Sequence, residues 1–233
     1  IGTRVNAPEN YAEVATGYLA EITGLPLTLA FSLIEATSDT GAYVHISSTI
    51  KRNAIKLSKI CNDLRLLSSG PRAGMNEINL PKLQPGSSIM PGKVNPVIPE
   101  VMNQIAFQVI GTDVTISMAS EAGQLQLNVM EPVIAFNLFQ NLNMLSCGCR
   151  VLKEKCIERI TANAQICQDM VENSIGIVTL LSPVLGYELC SSIAKEALQK
   201  GLSVRSVIMN NQYMSEAKLN ELLSLENLKD PRF

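Results

Sequence analysis

Lys93 and Asn95 flank Val94 in the stretch PGKVNP, and two hydroxyls, Ser87 and Ser88, lie a few residues upstream beside Gly86. In an extended chain alternate residues point the same way, so the ammonium of Lys93 and the amide of Asn95 would share a face. One cation, one amide donor and paired hydroxyls on a single loop suit an anion with a planar, oxygen-rich head, such as a carboxylate. Phosphate fits less well, because the GxxxxGK[ST] spacing of a phosphate-cradling loop is absent. On these residues alone a second reading stays open, a Pro/Gly connector whose polar groups are merely solvated.

The surrounding punctuation defines the loop. Between residues 70 and 99 helical periodicity disappears, and the stretch carries Pro71, Pro81, Pro85, Pro91, Pro96 and Pro99 with glycines at 70, 74, 86 and 92. A loop longer than about 15 residues in a compact protein is usually functional or disordered. Leu80, Leu83, Ile89, Met90 and Val94 give it apolar anchors, which leans towards function.

The elements that must hold this loop are helices. Over residues 39–69, Ile46, Ile50, Ala54, Leu57, Cys61 and Leu64 recur at steps of three or four, while Lys51, Arg52, Lys56, Lys59, Asp63 and Arg65 occupy other angles. Gly70-Pro71 ends that helix. An earlier helix is expected over about residues 10–37, bending near Gly24-Leu25-Pro26. Two further helices follow the loop and are poor in charge. Between Glu100 and Glu121 the one charged residue is Asp113, and between Asn128 and Cys149 it is Glu131. Helices of that length without a wet face are surrounded by protein, and their Asn and Gln residues suit hydrogen bonds between helices. One chain has too few other elements to enclose both, so they read as part of a multi-subunit bundle. Beyond residue 163 a Gly/Pro-broken linker leads into short helices near 191–200, 204–210 and 215–223, with Ser203 and Ser215 as N-caps. The expected fold is all-α, a long-helix bundle over residues 1–162 that includes the loop 82–99, followed by a small helical domain over 163–233.

Composition narrows the function. Charged residues are 17% and hydrophobic ones 46% of 233 residues, with a net charge of −2 and no Trp. Nucleic-acid binding would call for a basic face and stacking aromatics, and no run is apolar enough to span a membrane. Six cysteines without a CxxC pair indicate reduced thiols and a cytoplasmic protein. His45 is the one histidine, and with no cluster around it neither a metal nor another cofactor is expected. The opening IGTRVNAPEN has neither an initiator Met nor an apolar leader, and reads as the start of a fragment or processed chain.

The loop reading GSSIMPGKVNPVIPE, residues 86–100, matches the pattern G-S-S-x-M-x-x-K-x-N of the aspartase/fumarase superfamily at every fixed position. The resemblance extends through IEATSD (34–39), KLSKICNDLRLLSSGPRAGMNEINLP (56–81), AGQLQLNVMEPVI (122–134) and NSIGIVTLLSP (173–183). It leans to the aspartase branch, since fumarases typically read T-Q-C-E at 97–100 and F-E-L-N-V at 125–129. What the resemblance implies is a lyase that reversibly eliminates ammonia from aspartate to give fumarate. Ser87 would be the general base and Lys93 and Asn95 would hold substrate carboxylates, with Ser88 and Met90 beside them. Ser88 shaping the turn and Met90 packing beneath the loop are the plainer alternatives. Glu100 would orient a histidine from another segment, its alternative being an acidic residue that favours a helix N-terminus. The resemblance implies a homotetramer whose active sites each draw on three subunits. It also implies a whole protein about twice this length, so that the chain alone would be inactive. Fumarate hydration and a non-catalytic structural role are the competing readings. Arg4 stands where the family's G-T-G-x-N stretch has glycine, which puts any part played by Thr3 or Asn6 in question.

Overall fold

The computed structural model describes residues 2–84, 89–90 and 92–229. The chain divides into two compact units: residues Ile1–Met75 with Leu80–Ile160, and residues Asn76–Asn79 with Thr161–Phe233. Both are helical, and the strands among the described residues are two-residue pieces.

In the first unit, helix α1 (Tyr11–Thr23) precedes the long helices α2 (Gly41–Leu67), α3 (Val97–Glu121) and α4 (Glu131–Lys155). Helix α3 packs against both α2 and α4. The buried positions of α2 are Ser47, Ile50, Ala54, Ser58 and Cys61, the three-and-four spacing of one helix face. They meet Met102, Ala106, Val109 and Ile116 of α3, and Ile134, Leu138, Leu145 and Leu152 of α4 complete the core. Gly148 lets α4 approach α3, because a Cβ there would lie 2.9 Å from Ile105 Cδ1 and Met102 Sδ.

Polar rungs cross this core. Ser47 Oγ donates to Asp113 at 2.7 Å, and Lys51 pairs with the other carboxylate oxygen. Asn103 donates to the Ser58 carbonyl and hydroxyl and to Asn62, and Asn141 bonds Thr112. Asn128 donates to the Ala119 and Ser120 carbonyls and accepts from the Met130 N–H. Among the described residues no buried side-chain nitrogen or oxygen lacks a hydrogen-bond partner. Asn103, Asp113 and Asn141 thus bond between helices, whereas Gln104, Asn137 and Asn143 bond within their own helix.

The expected helix over residues 10–37 is interrupted rather than bent. Gly24 adopts φ 66°, and its N–H closes α1 on the Ala20 carbonyl. The left-handed cap is a helix stop, and the chain stays irregular until a 3-10 turn at Glu35–Thr37. The α2 helix ends at Leu67, three residues before the Gly70-Pro71 pair expected to stop it.

The second unit begins with a strand, β1 (Ile78–Asn79), paired antiparallel with β2 (Thr161–Ala162) in the register Ile78 to Ala162 and Asn79 to Thr161. Helices α5 (Ala164–Asn173), α6 (Ser182–Leu185), α7 (Tyr187–Lys200), α8 (Val204–Asn210), α9 (Glu216–Leu222) and α10 (Leu225–Lys229) follow. Ser203 and Ser215 accept from the N–H groups of Ser206 and Lys218, the N-caps the sequence indicated. The stretch read as a linker is instead a 3-10 helix, Ile175–Leu181, whose Ile177 and Leu181 join Ile193, Val207 and Leu219 in the core.

Candidate active site

The segment between β1 and α3 carries the chemistry-bearing residues. At its two ends it is fixed by packing: Leu80 and Ile98 lie against the bundle core. Leu83, Pro96 and Cys156 line an apolar crevice with them. That crevice is a footing for the loop, with Lys155 as the one charged residue among the described residues of its lining.

Within the loop, Gly92 adopts φ 83°, a conformation glycine reaches without penalty. The Lys93 N–H donates to the Met90 carbonyl at 3.2 Å, so a tight turn presents Lys93. Pro96, at φ −78° and ψ 57°, sits near the centre of an inverse γ-turn, in which the Val97 N–H donates to the Asn95 carbonyl at 2.9 Å. This turn swings the chain directly into α3. Lys93 is exposed and Asn95 half-buried. Neither side chain has a hydrogen-bond partner among the described residues, which leaves a cation and an amide available to a ligand. Ser87 and Ser88 lie outside the described residues.

Met90 is 49% exposed and its neighbour Ile89 86%. Glu100 is half-buried in the first turn of α3, where an acidic side chain complements the helix dipole. Its carbonyl accepts from Gln104. His45 is exposed on α2. Among the described residues no group of three or more His, Cys, Asp or Glu side chains is placed to hold a metal ion, and no helix is long and apolar enough to cross a membrane.

A second loop emerges from contacts that sequence spacing could not reveal. Thr37 Oγ1 donates to the Gln126 carbonyl at 2.9 Å, Ser38 Oγ to the Leu125 carbonyl at 2.7 Å, and the Asn128 N–H to the Thr37 carbonyl at 3.1 Å. Two of the segments that carry the family resemblance, nearly ninety residues apart, are thus one structure. At its tip Leu125 takes φ 52° and is 88% exposed. A strained, exposed apolar residue held from both sides is a feature of functional loops.

Near the start of the chain, Arg4 also lies at positive φ, 57°, and pairs with Glu13. The backbone shape suits the glycine usual in the family, and Arg4 keeps it at some strain.

The cysteines are free. Burial pushes the Cys61 thiol up to about 11, with the nearby Cys156 adding to the effect, and burial raises Cys156 as well. Neither is suited to act as a thiolate nucleophile.

Residues 1–111 match the protein family described as Lyase, and residues 177–229 match Fumarase C C-terminus. The aspartate ammonia-lyase of Corynebacterium glutamicum is 60% identical over 233 residues, covering 100% of this chain and 44% of that protein. That of Escherichia coli is 55% identical over the same 233 residues, with 49% of its length covered. The solved structure of fumarate lyase:delta crystallin from Brucella melitensis bound to cobalt superimposes with a TM-score of 0.92 at 48% identity, over 100% of this chain and 50% of that one. A class II fumarase from Schistosoma mansoni gives 0.91 at 30% identity, over 100% and 52%. The chain spans about half the length of the curated relatives it matches.

Proposed function

The chain belongs to the aspartase/fumarase family of lyases, and we propose that it is the C-terminal part of an aspartate ammonia-lyase, converting L-aspartate reversibly to fumarate and ammonia. The single observation that carries this reading is the exposed Lys93 and the half-buried Asn95, free of partners among the described residues, within a loop that matches the family pattern throughout. Higher identity to aspartate ammonia-lyases than to the solved fumarase supports ammonia, rather than water, as the group eliminated.

In this mechanism the Ser87 alkoxide removes a proton from the substrate carbon beside the distal carboxylate. The electron pair delocalises into that carboxylate, giving an aci-carboxylate with one extra negative charge. Collapse of this intermediate breaks the carbon–nitrogen bond and releases ammonia. The difficulty is the weak acidity of the carbon, so stabilisation must grow as charge grows. Lys93 and Asn95 serve as donors to substrate carboxylate oxygens, with Ser88 and Met90 beside them. Glu100 orients a histidine supplied by another segment. No cofactor or metal enters the proposed chemistry.

Residues 1–162 form the C-terminal part of the central helical bundle in this reading, and residues 163–233 a small helical domain. The enzyme is a cytoplasmic homotetramer, in which the exposed apolar faces of α3 and α4 meet other subunits. Phe107, Val114 and Met118 on α3 and Phe136 and Phe139 on α4 are all exposed here, which supports that assembly. An active site shared among subunits needs segments this chain lacks, so the 233-residue piece is inactive alone. Assaying the complete enzyme on L-aspartate and on malate separates the readings. Turnover of aspartate is expected. Turnover of malate with none of aspartate would replace it with fumarate hydration.

A further inference from the structure

The loop's entrance is fastened by one side chain distant in sequence. Asn163, immediately after β2, donates its amide to the Asn76 carbonyl at 2.7 Å, to Asn76 Oδ1 at 3.2 Å and to Asn79 Oδ1 at 3.2 Å. Its own oxygen accepts from Asn79 Nδ2 at 2.7 Å, and its backbone N–H donates to the Glu77 carbonyl at 2.8 Å. Asn79 Nδ2 also reaches Thr161 Oγ1 at 3.2 Å, and the Cys167 thiol points at the Glu77 carbonyl. Asn76 holds φ 49°, the left-handed conformation that asparagine tolerates better than most residues.

These contacts are out of proportion to the sheet they decorate. A ladder of two residues per strand is marginal by itself, yet residues 76–79 are gathered into the second unit through it. The next residue, Leu80, packs on the bundle core of the first unit. Residues 76–79 are therefore held within the second unit, immediately before the segment of sequence that ends at Lys93 and Asn95. Fixing a loop's end removes conformations from the whole loop. Chemistry is the property most sensitive to that restriction, since displacement by about 1 Å can lower a rate by about 100-fold.

We propose that Asn163 is a positioning residue for the elimination: by clasping Asn76 and Asn79 it fixes where the chain enters the loop that presents Lys93 and Asn95. The proposal rests on the lyase reading above. Asn163 acts through the loop and touches no substrate, so its signature is a loss in kcat rather than in substrate affinity.

The test uses the complete enzyme with Asn163→Ala, Asn79→Ala and the double substitution. Each single variant is expected to lower kcat for aspartate about 10- to 100-fold, to change KM less than about threefold, and to keep its unfolding midpoint within a few degrees. The double variant is expected to lose no more than the worse single one, because both break the same clasp. Unchanged kcat in the folded single variants would overturn the proposal, as would losses that multiply. A fall in unfolding midpoint with kcat retained would reassign Asn163 to stability alone. Amide hydrogen exchange at residue 163, whose N–H donates to the Glu77 carbonyl, measured on the same proteins, is expected to accelerate at least about tenfold in Asn79→Ala. Unaltered exchange would overturn the proposal even if the unsubstituted enzyme released no ammonia, an outcome that would by itself reject only the lyase reading.

Discussion

Lys93 presents an ammonium on a turn built by Gly92, and Asn95 sits at the γ-turn that feeds α3. Each is placed by backbone geometry rather than by side-chain partners, so both donors remain available. The thiols behave in the opposite way. Cys61 is fully buried, and burial holds its pKa at about 11 against an ordinary value of 9.0. Exposed Cys147 and Cys149 are expected to react with an aromatic disulfide reagent at pH 8 in the native state, and Cys61 only after unfolding. Between pH 9 and about 11 the unfolded chain loses this proton while the folded chain keeps it. Stability contributed by the neutral Cys61 is thus complete below pH 9 and falls as pH rises towards 11. Denaturation of the native protein and a Cys61→Ala variant across that window checks the sign. The variant should lack this part of the alkaline loss.

The helices are readable in proportion to how locally their signals act. The face of α2 is legible because Ile50, Ala54 and Cys61 repeat at helical spacing. Gly24 stands out in the sequence but reads as a bend, although Gly24 with Pro26 after it is a local stop signal and nothing packs against Gly24 to impose the cap. The Ile175–Leu181 stretch resembles a linker since Gly176 within it and Pro183 just after it mask two core residues, Ile177 and Leu181. The candidate loop is recognisable from its motif, whereas the Asn163 clasp and the pairing of Thr37 and Ser38 with residues 125–126 are not. Both join residues more than eighty positions apart through polar groups with no periodicity. Buried polar rungs set the register of the long helices, and Asp113 is the most exacting of them. Asp113→Ala removes the acceptor of Ser47 and the partner of Lys51. A loss of about 2 kcal/mol is expected, tempered because Lys51 is partly solvated. Chemical denaturation should register it, and a change under about 0.5 kcal/mol would mean the rung is dispensable.

At the scale of the molecule, charge-poor helices leave large apolar residues at the surface. Phe107 is 61% and Phe139 72% exposed, a poor arrangement for a helix facing water and a good one for a helix facing another subunit. Replacing both with Lys in the complete enzyme is expected to break the proposed tetramer into smaller species in sedimentation, with activity lost alongside. A tetramer that survived both charges would place the interface elsewhere. In the proposed reading, a site shared among subunits would account for a loop that offers Lys93 and Asn95 without the rest of a catalytic centre.

The most direct measurement tracks fumarate and ammonia together as the complete enzyme acts on L-aspartate, with Ser87 present and with Ser87→Ala. The proposal predicts the two products in equal amounts, and a fall in kcat of about 100- to 10,000-fold once the base is removed. Undiminished release of both products by the Ser87→Ala enzyme would contradict it.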